Sequence, residues 1–474
     1  MSAAFTTAEV TRALGVAPLH LSDPEVVFPR VTIDSRRIAP GDLFVALGGE
    51  RYDGEAFRAA AVSAGAAGVI GSAEPFAGGE GVARWVVPEG RAALQALAAF
   101  HRRRLDTRVV AVTGSNGKTT TKELIAAVLG QAFPTARTPG NLNNQIGVPL
   151  TLLEIGPQHA WAVVELGMNL PGEIAPLAAI TRPAIGVITN IAASHLTGLG
   201  SVEAVLEEKL ALGRALGPAD LLIFCGDQPR LAAAARQLPC RSLAYGLEPG
   251  NDVLPDTWSL DEDGRGRFTL DRRTFRLRLT GRHNIVNALA AVAVGREAGL
   301  APGTIAVGLA EPDALPLRMQ LERWGEVVAL VDCYNANPES VLSAAATLST
   351  LSGVRRRVAV LGTMLELGEQ SQTLHADVGR ALHGLVELVV AVGSAASPIA
   401  DGAGAAGVAS MRFDDPGAAT AWLIDNLEPG DGVLFKASRG AALETVVAPV
   451  RAACVEGSAR CGAAPQHPWG GVDG

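Results

Sequence analysis

A chain of 474 residues is longer than one hydrophobic core usually organises, and roughly 150 residues per domain gives about three folding units. Its formal net charge of −8 supplies no electrostatic reason to bind nucleic acid or an anionic membrane. No apolar run reaches roughly 18 residues and no leader pattern follows Met1, so a cytoplasmic protein without membrane insertion is expected. The five cysteines are odd in number and lack metal-type spacing, which fits a reducing compartment with neither structural disulfides nor zinc.

Residues 1–87 mix short strands, such as 42–47, with an alanine-rich helix at 54–64, and predict a small α/β unit. Residues 88–314 alternate strands at 109–113, 160–165, 184–190 and 221–225 with helical segments, which predicts a parallel sheet covered by helices. Between 250 and 280 the period changes to two around turns, so a hairpin appended to this central unit is expected. Residues 315–454 start a second alternation, with strands at 327–332, 358–361, 388–392 and 432–436, and predict a Rossmann-like third unit. The Gly, Ala and Pro content of 455–474, without periodicity, reads as a flexible tail.

Of the 40 basic residues only four are lysines: Lys118, Lys122, Lys209 and Lys436. A lysine kept among so many arginines points to a task for a compact charge or a reactive amine. Residues 109–113 form a buried strand, Gly114-Ser115-Asn116-Gly117 a tight turn, and Lys118-Thr119-Thr120 the first turn of a helix. Such a turn is a phosphate cradle: its N–H groups and the helix N-terminus attract the anion, Lys118 reaches the β/γ oxygens, and the Thr119 hydroxyl can ligate Mg²⁺. Val112 stands where the strict GxxxxGK[ST] pattern has glycine. Lys122, one turn further on, reads as an ordinary surface residue.

The strand at 160–165 ends in Glu165, at the sheet edge where ligands of open α/β folds bind, so Glu165 is a candidate Mg²⁺ ligand or else a helix cap. His195 follows the next strand, and Lys209 lies on a helix beyond it. By itself His195 reads more often as structural than as a ligand, and Lys209 equally as part of a solvated helical face.

Taken together these residues resemble the Mur ligase family. Thr113 to Thr120 looks like the family's ATP loop and Gly140-Asn141-Leu142-Asn143-Asn144-Gln145-Ile146-Gly147 like the segment after it, with Asn143 implied at the substrate. The resemblance implies that Glu165 and His195 hold Mg²⁺, most simply two ions, and that Lys209 is carbamylated and acts with Lys118 and His195 in catalysis. The family usually has Lys-Gly-Glu where this chain has Lys209-Leu210-Ala211. Gly281 to Ala288 resembles the adenine-side motif, with Asn287 on the base, and Leu317-Arg318-Met319-Gln320 carries an arginine implied on the phosphates. Asp332-Cys333-Tyr334-Asn335-Ala336-Asn337-Pro338 is similar to the signature of the branch that adds D-alanyl-D-alanine to UDP-MurNAc-tripeptide. It places Asp332 on the ribose and Asn335 and Asn337 in the amine pocket. Leu361 to Gly368 is similar too, with Thr363 for the usual aspartate. Lys436 and Arg439 are implied at a substrate carboxylate or phosphate, with a strand-end ion pair as the other reading. Thr32-Ile33-Asp34-Ser35-Arg36 and Arg51-Tyr52-Asp53-Gly54 look like the uridine-nucleotide unit, with Ser35 and Arg36 on the UDP group.

The implied activity is an ATP-dependent, acyl-phosphate ligation in peptidoglycan precursor synthesis by a monomer. A sibling or folylpolyglutamate-type ligase using another amine, and a non-catalytic nucleotide-gated binding protein, would share the ATP loop.

Overall fold

The computed structural model describes residues 3–19, 25–49, 53–72 and 81–457. The expected tail therefore lies outside the described residues beyond 457, as do Arg51 and Tyr52 of the N-terminal motif.

The first unit is built on a four-stranded parallel sheet, ordered Val31–Thr32, Leu43–Val45, Gly68–Gly71, Ala83–Val86. The helix expected at 54–64 starts later: Asp53 accepts from Glu55 N and caps a 3₁₀ turn, Gly54–Phe57, before the α-helix Arg58–Ser63.

The central sheet has six parallel strands in the order Arg241–Tyr245, Leu221–Cys225, Ile185–Ile188, Arg108–Thr113, Trp161–Glu165, Thr135–Arg137. Val109 to Val112 and Trp161 to Glu165 are buried, as strands covered by helices on both faces must be. From Arg108–Thr113 the chain winds outward to 135–137, returns beside it at 161–165, and crosses to 185–188. The winding reverses around Arg108–Thr113, and a crevice opens at the strands' carboxyl ends at such a reversal. The register pairs Val112 with Glu165 and Thr113 with Ile188, so the glycine turn, Glu165 and the segment after Ile188 emerge side by side.

The appended element is larger than a hairpin. Thr257–Leu260, Arg265–Leu270 and Arg273–Thr280 form a three-stranded antiparallel sheet. Its second turn places Asp271 and Arg272 at φ 50° and 62°, the left-handed pair that a two-residue hairpin needs.

The third unit has a six-stranded sheet ordered Gln320–Trp324, Val327–Asp332, Asp431–Lys436, Arg356–Leu361, Leu388–Val392, Ala409–Phe413, with only the first pair antiparallel. The two edge strands were missed by the sequence reading because their side chains are mostly half-exposed and lack a continuous apolar run.

One hydrophobic cluster runs from Ala3 through Leu309, whereas separate clusters cover the two faces of the last sheet. The third unit thus has core clusters of its own, and its Leu374 also packs against the first cluster. Cys225, Cys240 and Cys333 are free and buried, but Cys454 is disulfide-bonded, which corrects the expectation of no disulfide. An odd count and irregular spacing do not bear on whether two segments meet in space.

Candidate active site

A cavity of about 300 Å³ opens where the central crevice faces the third unit. Ser115 to Thr120, Asn143, Glu165, His195 and Asn287 line it from the central unit, and Arg318, Asp332, Asn335 and Lys436 from the third.

The glycine turn is shaped by contacts no side chain could share. Gly114 has φ 149°, and a Cβ there would lie 1.8 Å from Thr189 Oγ1; Gly117, at φ 78°, would meet Asn287 Oδ1 at 2.6 Å. Asn287 thereby abuts the turn, held by its Nδ2 donating to Asn284 Oδ1 at 3.0 Å. Ser115 shores the turn up: its Oγ donates to Ala192 O at 3.2 Å and accepts from Ala192 N at 2.9 Å. Asn116 N donates to Asn190 Oδ1 at 2.8 Å. Lys118 Nζ donates to Gly114 O at 2.7 Å and Ser115 O at 3.2 Å, which brings its charge to the mouth of the turn. Burial lowers the Lys118 pKa, Glu165 opposes that shift and Arg318 adds to it.

Glu165, 1 % exposed, receives Asn143 Nδ2 on Oε1 at 2.8 Å and, through its own N–H, donates to Thr138 Oγ1 at 3.0 Å. Its Oε2 is buried without a hydrogen-bond partner. A buried orphan carboxylate oxygen is costly unless something satisfies it, and a divalent cation shared with the Thr119 hydroxyl fits the donor set. Among the described residues no group of three or more His, Cys, Asp or Glu could hold a metal by itself. Phosphate oxygens would have to complete the shell, as is usual for Mg²⁺.

Lys122 corrects the surface expectation. Its side chain is fully buried, Nζ donates to Thr138 O at 2.8 Å and Gly140 O at 3.0 Å, and it stands 3.9 Å from Glu165 Oε2. The spacing of four from Lys118 puts both lysines on one helix face, which the segment after Thr135–Arg137 covers.

His195, at φ 56°, pairs through Nδ1 with Glu366 Oε2 of the third unit at 2.5 Å, leaving only Nε2 for another partner. That bond holds the Glu366 carboxyl below its ordinary range. Around it Thr197 N donates to Glu366 O at 3.1 Å and Gly368 N to Thr197 Oγ1 at 3.2 Å. A second bridge joins the units where Asn116 and Asn337 exchange side-chain amide bonds of 2.8 and 3.3 Å. Asn337 also caps the helix Pro338–Leu348, accepting from Ser340 N at 3.0 Å.

In the third unit the Arg318 guanidinium lies over the Tyr334 ring, 3.7 Å from its centroid, with its charge toward the cavity. Asp332 pairs with Lys436 at 2.5 Å, and Lys436 Nζ also donates to Asn335 O at 2.8 Å, so the strand-end ion pair is what forms, inside the cavity wall. Arg439 lies away from the lining and pairs with Glu444 at 2.8 Å. Ser35 and Arg36 open a 3₁₀ turn in the first unit, with Arg36 paired to Asp34 at 2.9 Å and 87 % of its side chain exposed; neither belongs to this cavity.

Lys209 is buried, 1 % exposed, and is not part of the lining. Burial first, and the Lys118 charge second, push its pKa well below that of a free amine. Neighbouring Glu208 is engaged elsewhere, accepting from Gly172 N at 2.8 Å and Ile174 N at 2.7 Å.

The sequence matches the Mur ligase middle domain over residues 112–295, the Mur ligase glutamate ligase domain over 317–439, and the Mur ligase family catalytic domain over 28–102. The chain belongs to the Mur ligase family. It is 37 % identical over 433 residues to the UDP-N-acetylmuramoyl-tripeptide–D-alanyl-D-alanine ligase of Bacillus subtilis, covering 89 % of this chain and 93 % of that one. Among solved structures, MurF from Acinetobacter baumannii superposes with TM-score 0.87 at 33 % identity, over 95 % of this chain and 99 % of that chain. MurF from Thermotoga maritima, solved in complex with ADP, gives 0.81 at 28 %, over 90 % and 98 %. This Mur ligase therefore has the three-domain architecture of those enzymes and is an ATP-dependent ligase.

Glu366 and His283 stand inside the quoted motifs but drew no role from the sequence, and Lys122 was read there as a surface residue although it is fully buried. His283 lines the cavity, bonds Ser343 Oγ at 3.1 Å, and is pushed down to about 4 by burial, with Asp332 opposing and Lys436 reinforcing that shift. The scarcity of lysine was the signal that could have marked Lys122.

Proposed function

We infer that this Mur ligase joins D-alanyl-D-alanine to UDP-MurNAc-tripeptide at the expense of ATP, giving the pentapeptide precursor of peptidoglycan, ADP and phosphate. The observation that carries the reading is that one cavity gathers the phosphate loop and Glu165 from the central unit with Asp332, Asn335 and Lys436 from the third. Reactants bound by different units meet there. The named relatives supply the identity of the acid and the amine.

The triphosphate sits on the N–H groups of Gly114 to Thr120, and Lys118 exchanges its carbonyl partners for β/γ oxygens. The tripeptide carboxylate attacks the γ-phosphorus, the bond to the β-bridging oxygen breaks, and an acyl-phosphate forms. The free amine of D-alanyl-D-alanine then adds to the acyl carbon, loses a proton, and phosphate departs with the electrons of the C–O bond. Thr119, Glu165 and His195 Nε2 would hold Mg²⁺, which neutralises charge developing on the phosphoryl oxygens. Asn287 supports the adenine side, Arg318 and Asp332 the remainder of the nucleotide, and Asn143, Asn335, Asn337 and Lys436 the amino-acid side, whereas Arg439, paired with Glu444 outside the cavity, takes no part. Ser35 and Arg36 take the uridine diphosphate. Lys209, whose pKa burial and the Lys118 charge push well below that of a free amine, is suited to attack CO₂: the N–C bond forms, an amine proton leaves, and the resulting carbamate adds oxygen donors. Closing units hold amine and acyl-phosphate together away from water, which supplies much of the rate. Nucleotide-linked and dipeptide substrates suit a cytoplasmic monomer, and among the described residues no helix is long and apolar enough to cross a membrane.

The test is phosphate release from ATP and UDP-MurNAc-tripeptide with each candidate amine in turn, with products weighed by mass spectrometry. D-alanyl-D-alanine is expected to stimulate release and give the pentapeptide. Stimulation by another amine alone would reassign the substrate, and nucleotide binding without turnover would make the chain a binding protein.

A further inference from the structure

The mechanism above leaves one fully buried charged side chain of the site unused. Lys122 has no exposure, yet a buried ammonium is unfavourable unless its partners offset the lost hydration. A methionine would fill much the same space with no charge to compensate, so what this lysine holds needs an account.

It holds the segment that holds Glu165. Nζ takes Thr138 O at 2.8 Å and Gly140 O at 3.0 Å, and pairs with Glu123 at 3.0 Å. Thr138 in turn receives Glu165 N on its hydroxyl at 3.0 Å. Three residues past Gly140, Asn143 donates to Glu165 Oε1 at 2.8 Å and accepts from Gly167 N at 2.7 Å. Residues 138–143 therefore grip Glu165 by its backbone and by one carboxylate oxygen, and Lys122 ties that grip to the phosphate-loop helix Lys118–Gly130. The second oxygen, Oε2, is left buried, without a hydrogen bond, and 3.9 Å from Nζ. These bonds link the helix that carries Thr119 to the carboxylate of Glu165.

We propose that Lys122 is a positioning residue for Glu165: by clamping Thr138 and Gly140 to the phosphate-loop helix it aims Glu165 Oε2 at the divalent cation that accompanies the nucleotide. The proposal rests on the assignment of Glu165 as a cation ligand. Removing a group that orients a metal ligand typically costs about 10- to 100-fold in metal affinity.

The experiment uses the full chain with ADP and counts free Mn²⁺ by electron paramagnetic resonance, and in parallel measures ADP affinity in EDTA by calorimetry. Lys122→Met is expected to weaken Mn²⁺ binding by about ten-fold or more while ADP affinity in EDTA stays within about two-fold. Mn²⁺ affinity within about two-fold of the parent, or an equal loss of metal-free ADP binding, overturns the proposal. Asn143→Ala releases the other end of the same grip and serves where Lys122→Met does not fold: it must give the same metal-selective loss, and an unchanged Mn²⁺ affinity is equally fatal. Glu165→Gln separates the two layers. If it leaves Mn²⁺ binding intact, the ligand assignment fails and the proposal with it; if it abolishes binding while Lys122→Met does not, only the positioning role fails.

Discussion

The paired amides of Asn116 and Asn337 offer a clean measure of how strongly the central and third units are held together. Asn337 is 3 % exposed, so its two bonds of 2.8 and 3.3 Å to Asn116 are largely screened from water. Each such bond contributes about 0.5–1.5 kcal/mol net, and with the longer one at the low end of that range the pair is worth about 1–2 kcal/mol of docking. Alanine at 337 would confuse this by also removing the cap on the helix Pro338–Leu348, worth about 1 kcal/mol. Asn337→Ser keeps a good capping hydroxyl for Ser340 N but cannot reach Asn116, so it isolates the bridge. With Asn116→Ala it closes a double-mutant cycle, read by fluorescence energy transfer between dyes on the two units in saturating nucleotide. The closed-to-open ratio is expected to fall about five- to thirty-fold in either single variant, with little further loss in the double. Additive effects with a coupling below about 0.3 kcal/mol would refute the claim that these amides hold the units together.

Lys118→Ala should cut phosphate release by about a hundred-fold or more in a steady-state assay, since it removes a cation from the developing phosphoryl charge; undiminished turnover would overturn the nucleotide assignment. Lys209→Ala should be inactive and partly restored by short carboxylic acids, which return oxygen donors to the site; full activity without rescue would exclude the carbamate. His283 gives the nucleotide-free protein an acid-sensitive element. Because its folded value, about 4, lies below the ordinary 6.5, the unfolded chain takes up the proton first, and stability present above pH 6.5 is lost as pH falls toward 4. That interval at about 1.4 kcal/mol per pH unit amounts to about 3 kcal/mol, so urea midpoints of His283→Gln should fall less steeply with acid than the parent's; parallel curves would show that His283 does not bear the load.

Local chemistry carried much of this protein in its sequence. The run Gly114 to Thr120 was legible as a tight turn between a buried strand and a helix, and the structure bears out that turn, with glycines at φ 149° and 78° packed against Thr189 and Asn287. The inner strands of both large sheets were legible because burial on both faces demands continuous apolar runs, whereas the more exposed edges at Thr135–Arg137, Arg241–Tyr245, Gln320–Trp324 and Ala409–Phe413 have no such demand and stayed hidden. What each charged side chain faces was decided by folding. Lys122 reads as solvated until the carbonyls of Thr138 and Gly140 accept hydrogen bonds from its Nζ, and His195 reads as a lone histidine until Glu366, 171 residues away, arrives from another unit. Sequence period determines which residues share a face; only the packing of distant segments determines what covers that face, since those partners are brought together by burial and polar satisfaction that no local pattern encodes.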